Sequence, residues 1–151
     1  MRLSVLTASV LLLCTVAAWS ADAKVADAKV DDVNGTWVPE SIEMAGTSLP
    51  EEARKGIKLV IKDDKYTVTV RDRVDEGTSK TDASAKPKTL DLTGTNGPNK
   101  GRTLLAIYEL DGDTMKVCYD MTGKNRPKEF KSPPGSQTLL ATYKREKPKA
   151  D

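Results

Sequence analysis

The passage that decides the fold is Thr103-Leu-Leu-Ala-Ile-Tyr-Glu-Leu110, then Asp111-Gly112-Asp113, then Thr114-Met-Lys-Val-Cys-Tyr119. The first segment is the strongest strand signal in the chain, with aliphatic and aromatic residues that suit a pleated, half-buried surface. Asp-Gly-Asp is a tight turn, because glycine supplies the positive φ that short hairpins demand. The third segment reads as the partner strand. The unit is a β-hairpin, and most of the chain repeats its logic.

Upstream, Ile57, Leu59 and Ile61 alternate with Lys58 and Lys62, and Val60 falls on the second face. Asp63-Asp64-Lys65 reads as a turn, after which Tyr66, Val68 and Val70 alternate with Thr67, Thr69 and Arg71. This pattern predicts a second hairpin with one apolar and one mostly polar face. Asp75-Glu76-Gly77 is expected to be the next turn, Thr78 to Asp82 a weak strand, and Thr89-Leu-Asp-Leu92 another. Gly94 to Gly101, with its three glycines and Pro98, is expected to be a polar loop. Downstream, a long loop carries Gly123, Pro127, Pro133, Pro134 and Gly135, and Thr138 to Arg145 is the last strand. Trp37 to Met44 is the first. The one helix signal is Ser48 to Gly56: Ser48 can cap, Pro50 suits the first turn, Glu51 and Glu52 face the positive end, and Gly56 can stop it. The expected fold class is all-β: a small antiparallel barrel of about eight strands with one short helix.

The ends of the chain bear on how such a barrel closes. Asn34-Gly35-Thr36-Trp37 marks the start of the folded part, and Trp37 is the large ring there. With Trp37 opening the first strand and Arg145 ending the last, a guanidinium stacked on the indole would close the barrel. Trp37 and Arg145 are therefore the expected structural closing pair.

Residues 1–23 have the three parts of an export signal: Arg2, an uncharged and mostly apolar run from Leu3 to Ala18, and small residues that offer cleavage sites after Ala18, Ser20 or Ala23. The apolar run falls short of the roughly 20 residues that span a bilayer comfortably. Residues 24–33 belong to a charged, Ala-rich tandem repeat, Ala21-Asp-Ala-Lys-Val25 and Ala26-Asp-Ala-Lys-Val30, and read as a linker. The barrel domain is expected over residues 34–146 and a polar tail over 147–151. The expectation is an exported protein, periplasmic or extracellular, monomeric and without stable membrane insertion. Of the two cysteines, Cys14 leaves with the leader, so Cys118 has no intramolecular partner. A lone thiol on a strand is expected to be buried and inert.

Two resemblances sharpen this reading. Gly35-x-Trp37 on the first strand with Arg145 on the last resembles the lipocalin and wider calycin pattern of eight-stranded ligand-binding barrels. More extensively, Gly35-Thr-Trp37, Pro87-Lys-Thr-Leu-Asp-Leu92, Gly97-Pro-Asn-Lys-Gly101, Ile107-Tyr-Glu-Leu-Asp-Gly-Asp113, Val117-Cys-Tyr119 and Arg126-Pro127 resemble, in this order, an uncharacterised family of secreted planctomycete domains. The resemblances imply export and a small lipocalin-like β-barrel. They transfer no activity and no functional residue.

Several chemistries are poorly served by this composition. The chain has no histidine, which removes the usual general base, the usual zinc ligand and any Ser-His or Cys-His pair. Asp111 and Asp113 flank a glycine, but a hairpin turn accounts for them better than a calcium loop. Gly94 to Gly101 has Lys100 before Gly101, the reverse of a phosphate loop, and a strand follows. Asp91 and Glu109 are strand acids expected to face solvent. Lys and Arg number 24 against 22 Asp and Glu, a balance that leaves no electrostatic footprint for nucleic acid. No catalytic residue, metal or cofactor is expected.

What remains is a cavity. Tyr66, Tyr108, Tyr119 and Tyr143 alternate with neighbours on strands and would line a pocket if their face points inward. Arg102 and Arg126, on loops, would sit at its mouth to take a carboxylate or phosphate. Two readings stand at this stage: a non-enzymatic barrel that binds a small apolar or amphipathic molecule, and a filled barrel that presents its loops to an envelope protein or other partner.

Overall fold

The computed structural model describes residues 32–148. The expected leader at 1–23, most of the linker and the last residues of the tail lie outside that range. Nine strands and one helical turn are present among the described residues: β1 (Gly35–Met44), β2 (Thr47–Ser48), α1 (Glu51–Arg54), β3 (Ile57–Lys62), β4 (Lys65–Val70), β5 (Arg73–Asp82), β6 (Lys88–Asn96), β7 (Thr103–Asp111), β8 (Thr114–Asp120) and β9 (Thr138–Arg145). All pairings between them are antiparallel. Strands β3 to β9 pair in chain order, β1 pairs with β3, and β1 also pairs with β9. The result is a closed eight-stranded barrel, with β2 as a two-residue addition to the end of β1. Closure leaves no strand of the main sheet with a wholly free edge.

The strand alternation sorts the side chains. Leu59 and Ile61 of β3, Tyr66 of β4, Leu90 and Leu92 of β6, Ala106 and Tyr108 of β7, Met115 and Val117 of β8, and Ala141 and Tyr143 of β9 all belong to one buried cluster inside the barrel. Ile107 and Cys118 are also buried but are absent from that cluster, because they stand on the opposite face of β7 and β8. The segment between β8 and β9 folds back over them. Cys118 Sγ reaches the carbonyl of Lys131 at 3.4 Å, and Ser132 Oγ donates to the carbonyl of Thr138 at 2.6 Å.

The register of β1 shifts between Pro39 and Ser41. β1 pairs with β3 only over Gly35 to Trp37, while it pairs with β9 from Trp37 to Met44. Pro39 has no N–H to offer a neighbouring strand, so a bulge is the natural place for it. Beyond Trp37 the β1–β3 seam is unpaired, and Arg54 of α1 donates to the Glu40 carbonyl there.

Four local expectations change. The helix is the single turn Glu51–Arg54, inside the expected short segment, but the expected Ser48 cap is not used. Thr47 and Ser48 instead pair with Met44 and Glu43, so Ser48 is committed to the sheet and Pro50 begins the helix without a side-chain cap. Asp75-Glu76-Gly77 is not a turn but the interior of β5; the turn falls at Arg71 and Asp72, with Arg71 at φ 58°. The predicted loop from Gly94 starts later, because β6 runs on to Asn96. Val33, assigned by sequence to the linker, is buried against the barrel interior.

Candidate functional site

The barrel has two unlike ends. At one, the indole of Trp37 is fully buried and its Nε1 donates to the carbonyl of Val33 at 2.9 Å. Trp37 and Arg145 are directly opposite in the β1–β9 register. The guanidinium carbon of Arg145 lies 4.3 Å from the centroid of the indole ring. The same guanidinium donates to the carbonyls of Asn34 and Asp32 and approaches Asp113 Oδ1 at 3.3 Å. One side chain thus covers the ring, ties down the incoming chain and braces the β7–β8 turn.

At the other end a cavity of about 330 Å³ enters the barrel. That volume falls at the low end of the roughly 300–1,000 Å³ usual for small-molecule sites. Its walls are largely apolar, with Ile42, Val68, Leu92, Leu104, Met121 and Leu139 among them. Three of the four tyrosines reach it: Tyr66, Tyr119 and Tyr143. The hydroxyls of Tyr119 and Tyr143 are 3.5 Å apart. Burial is the main cause that pushes both hydroxyls up from their ordinary pKa. Burial, then the charge and hydrogen bond of Asp75, does the same for Tyr66. All three stay neutral at physiological pH and act as hydrogen-bonding groups rather than as charges.

The polar focus of the cavity is Asp75, on the inner face of β5. Its Oδ2 accepts from the Tyr66 hydroxyl at 3.1 Å and from Asn99 Nδ2 at 2.8 Å. Its Oδ1 accepts from the backbone N–H of Asn99 at 3.0 Å. The loop between β6 and β7 is drawn to the barrel mouth by these bonds, so that Pro98 and Asn99 become part of the cavity wall. Gly97 permits this approach, since a Cβ there would stand 2.4 Å from the Val74 carbonyl oxygen. Gly77 does similar service for Tyr66: a Cβ would lie 2.7 Å from its Cε1 and 1.9 Å from the Thr93 carbonyl oxygen.

The chain matches no family model, no curated protein and no solved structure.

The other residues singled out by sequence fall elsewhere. Tyr108 is buried in the barrel cluster, but it is not among the residues lining this cavity. Arg102 stands beside the mouth, where its Nη2 donates to the Met121 carbonyl at 2.7 Å. Arg126 is on the outer face, bonded to the Ala106 carbonyl at 2.7 Å and paired with Asp91 at 2.6 Å. It anchors the β8–β9 segment to the barrel wall and does not line the cavity. The residues that sequence reasoning missed are Asp75, Asn99 and Arg73, the last with an exposed side chain at the cavity mouth. Reading Asp75-Glu76-Gly77 as a turn hid Arg73 and Asp75, and Asn99 lay within the expected polar loop. The usable signal was the spacing Arg73-x-Asp75-x-Gly77, which puts all three on one face once the strand begins at Arg73.

Among the described residues no three metal-ligating side chains gather, and no helix is long and apolar enough to cross a membrane.

Proposed function

We propose that this protein is an exported, non-enzymatic, lipocalin-like barrel that holds a small apolar or amphipathic molecule in the cavity at its open end. The observation that carries the proposal is the cavity itself: apolar walls converging on a few polar groups, Tyr66, Tyr119, Tyr143 and Asp75. This is the usual composition of a site that buries a hydrocarbon body and orients a polar end. The leader-like residues 1–23 support export to the periplasm or beyond, with the barrel acting as a monomer.

The test is binding of a neutral apolar dye such as Nile red to the purified chain. Binding should saturate at one site. Leu104→Trp, which fills the cavity, should weaken it by roughly tenfold or more, whereas Lys116→Ala on the outer face should leave it unchanged. Absent binding, or binding indifferent to Leu104→Trp, overturns the proposal.

One observation favours the second reading, a protein-interaction or envelope-structural module. Val70 and Val74 are 41% and 44% exposed at the β4–β5 hairpin, where they flank Arg71 and Arg73. A barrel without dye binding that co-purifies with a protein from its own host, and loses that protein on Val70→Ser and Val74→Ser, would establish it.

A further inference from the structure

We propose that the cavity selects an amphipathic cation, with Asp75 receiving its ammonium or similar head group; this rests on the cavity being a ligand site. Asp75 reaches the cavity, yet the residue is only 8% exposed. Its three hydrogen-bond partners, the Tyr66 hydroxyl and two nitrogens of Asn99, are all neutral. A carboxylate has about four acceptor positions, so one remains on Oδ1 after these bonds form. None of the ion pairs among the described residues includes Asp75. Asp75 is thus contacted by neutral dipoles alone and has no paired counter-charge.

A ligand cation supplies what the fold omits. Its head would donate a hydrogen bond to the remaining acceptor position of Oδ1 and lie within reach of the Tyr66 oxygen, while its tail lies along Ile42, Leu92, Leu104 and Leu139. An anionic head has no equivalent place. Driven inward, it meets the charge of Asp75. Held at the mouth, it meets Arg73, whose exposed side chain is solvated and gains little from a partner. Two of these three hydrogen bonds join Asp75 to the β6–β7 loop through Asn99, so head-group recognition and the position of that loop share one residue.

The experiment compares octylammonium, octanol and octanoate by displacement of Nile red and by calorimetry, on the purified chain. Octylammonium should bind roughly tenfold or more tightly than octanoate, with octanol between them. Asp75→Asn removes the charge at nearly the same side-chain volume; it should bring the amine and the acid to within about twofold of each other. Arg73→Gln should preserve the preference for the amine. Equal binding of octylammonium and octanoate to the native chain overturns the cation proposal and leaves the cavity reading intact. So does a preference that survives Asp75→Asn, or one abolished by Arg73→Gln. Failure of all three to bind overturns the cavity reading itself. The native ranking decides the matter even if Asp75→Asn does not fold, a condition that Trp37 emission reports.

Discussion

The two ends of this barrel are built by the same strands with the same alternation, yet one is sealed and the other open. At the sealed end the inward positions carry bulk: Trp37, Ile61, Leu90, Tyr108 and Met115 are all essentially without exposure, and Arg145 lies across the indole. At the open end the inward positions of β5 are Arg73, Asp75 and Gly77, in place of the apolar residues found on neighbouring strands. A charged rim residue, a hydrogen-bonded acid and a glycine leave space that a run of Leu or Ile would fill. Side-chain volume on one strand, rather than any change in topology, separates a plug from a pocket. It follows that stability should be concentrated at the sealed end and ligand selection at the open one.

The largest effect should come from removing the plug. Trp37→Ala should destabilise the fold by about 3–5 kcal/mol in urea unfolding followed by circular dichroism, the usual loss for a large buried ring. Arg145→Ala should cost less, and the double variant should lose less than the sum, since residues in contact couple. Simple additivity would show that the stack contributes nothing and that the two ends differ only in bulk. The buried indole should also emit blue-shifted fluorescence.

A smaller loss is expected at the open end. Gly77→Ala places a Cβ against the Thr93 carbonyl and the Tyr66 ring. It should cost about 1–3 kcal/mol by overpacking, and it should displace the hydroxyl of Tyr66 from Asp75. A neutral Gly77→Ala would mean that β5 and β6 yield freely at the bulge between Glu76 and Gly77, and that the cavity shape is soft.

Acid should divide the ends without mutation. Burial alone would raise the Asp120 carboxyl, but hydrogen bonds from Asn125, Thr122 and Lys124 outweigh it and hold its pKa below the ordinary carboxylate range. A carboxyl lowered in the folded state contributes stability above its unfolded value of about 3.9, and that stability is lost as pH falls through the folded value. Below about pH 4, amide exchange at Thr122, Lys124 and Asn125 should quicken while Trp37 emission stays unchanged. Simultaneous loss of both signals would show that the two ends unfold as one unit.

The smallest effect is a local one on the barrel's outer face. Burial raises the pKa of the Cys118 thiol and outweighs the smaller, opposing effect of a backbone hydrogen bond at Lys131. Labelling by a thiol reagent should be slow in the native protein and fast in denaturant, because the thiolate is the reactive form. Rapid native labelling would show that the β8–β9 segment lifts from the barrel wall.

Much of the architecture was legible because strand periodicity is a local property. Thr103 to Tyr119 and Ile57 to Val70 carry their hairpins in the alternation of their own residues, and β9 appears over the same residues that the sequence marks, Thr138 to Arg145. Closure followed from strand number and from the pull of unpaired edges toward pairing. The sequence alone also determined what chemistry is poorly served, since a chain without histidine lacks its usual base and zinc ligand wherever the backbone goes. Tertiary structure decided the rest. Ser48 has the chemistry of a helix cap but pairs with Glu43, because a neighbouring strand offers backbone bonds that a cap does not. Asp75-Glu76-Gly77 has the composition of a turn but runs straight through β5, since the acid finds Asn99 across 24 residues of sequence and the glycine admits Tyr66. Arg126 and Arg102 are alike as loop cations, and only the path of the β8–β9 segment sends Arg126 to Asp91 on the outer wall. Composition sets what a residue is able to bond. Which partner it meets depends on contacts far apart in the chain, and those exist only once the barrel has closed.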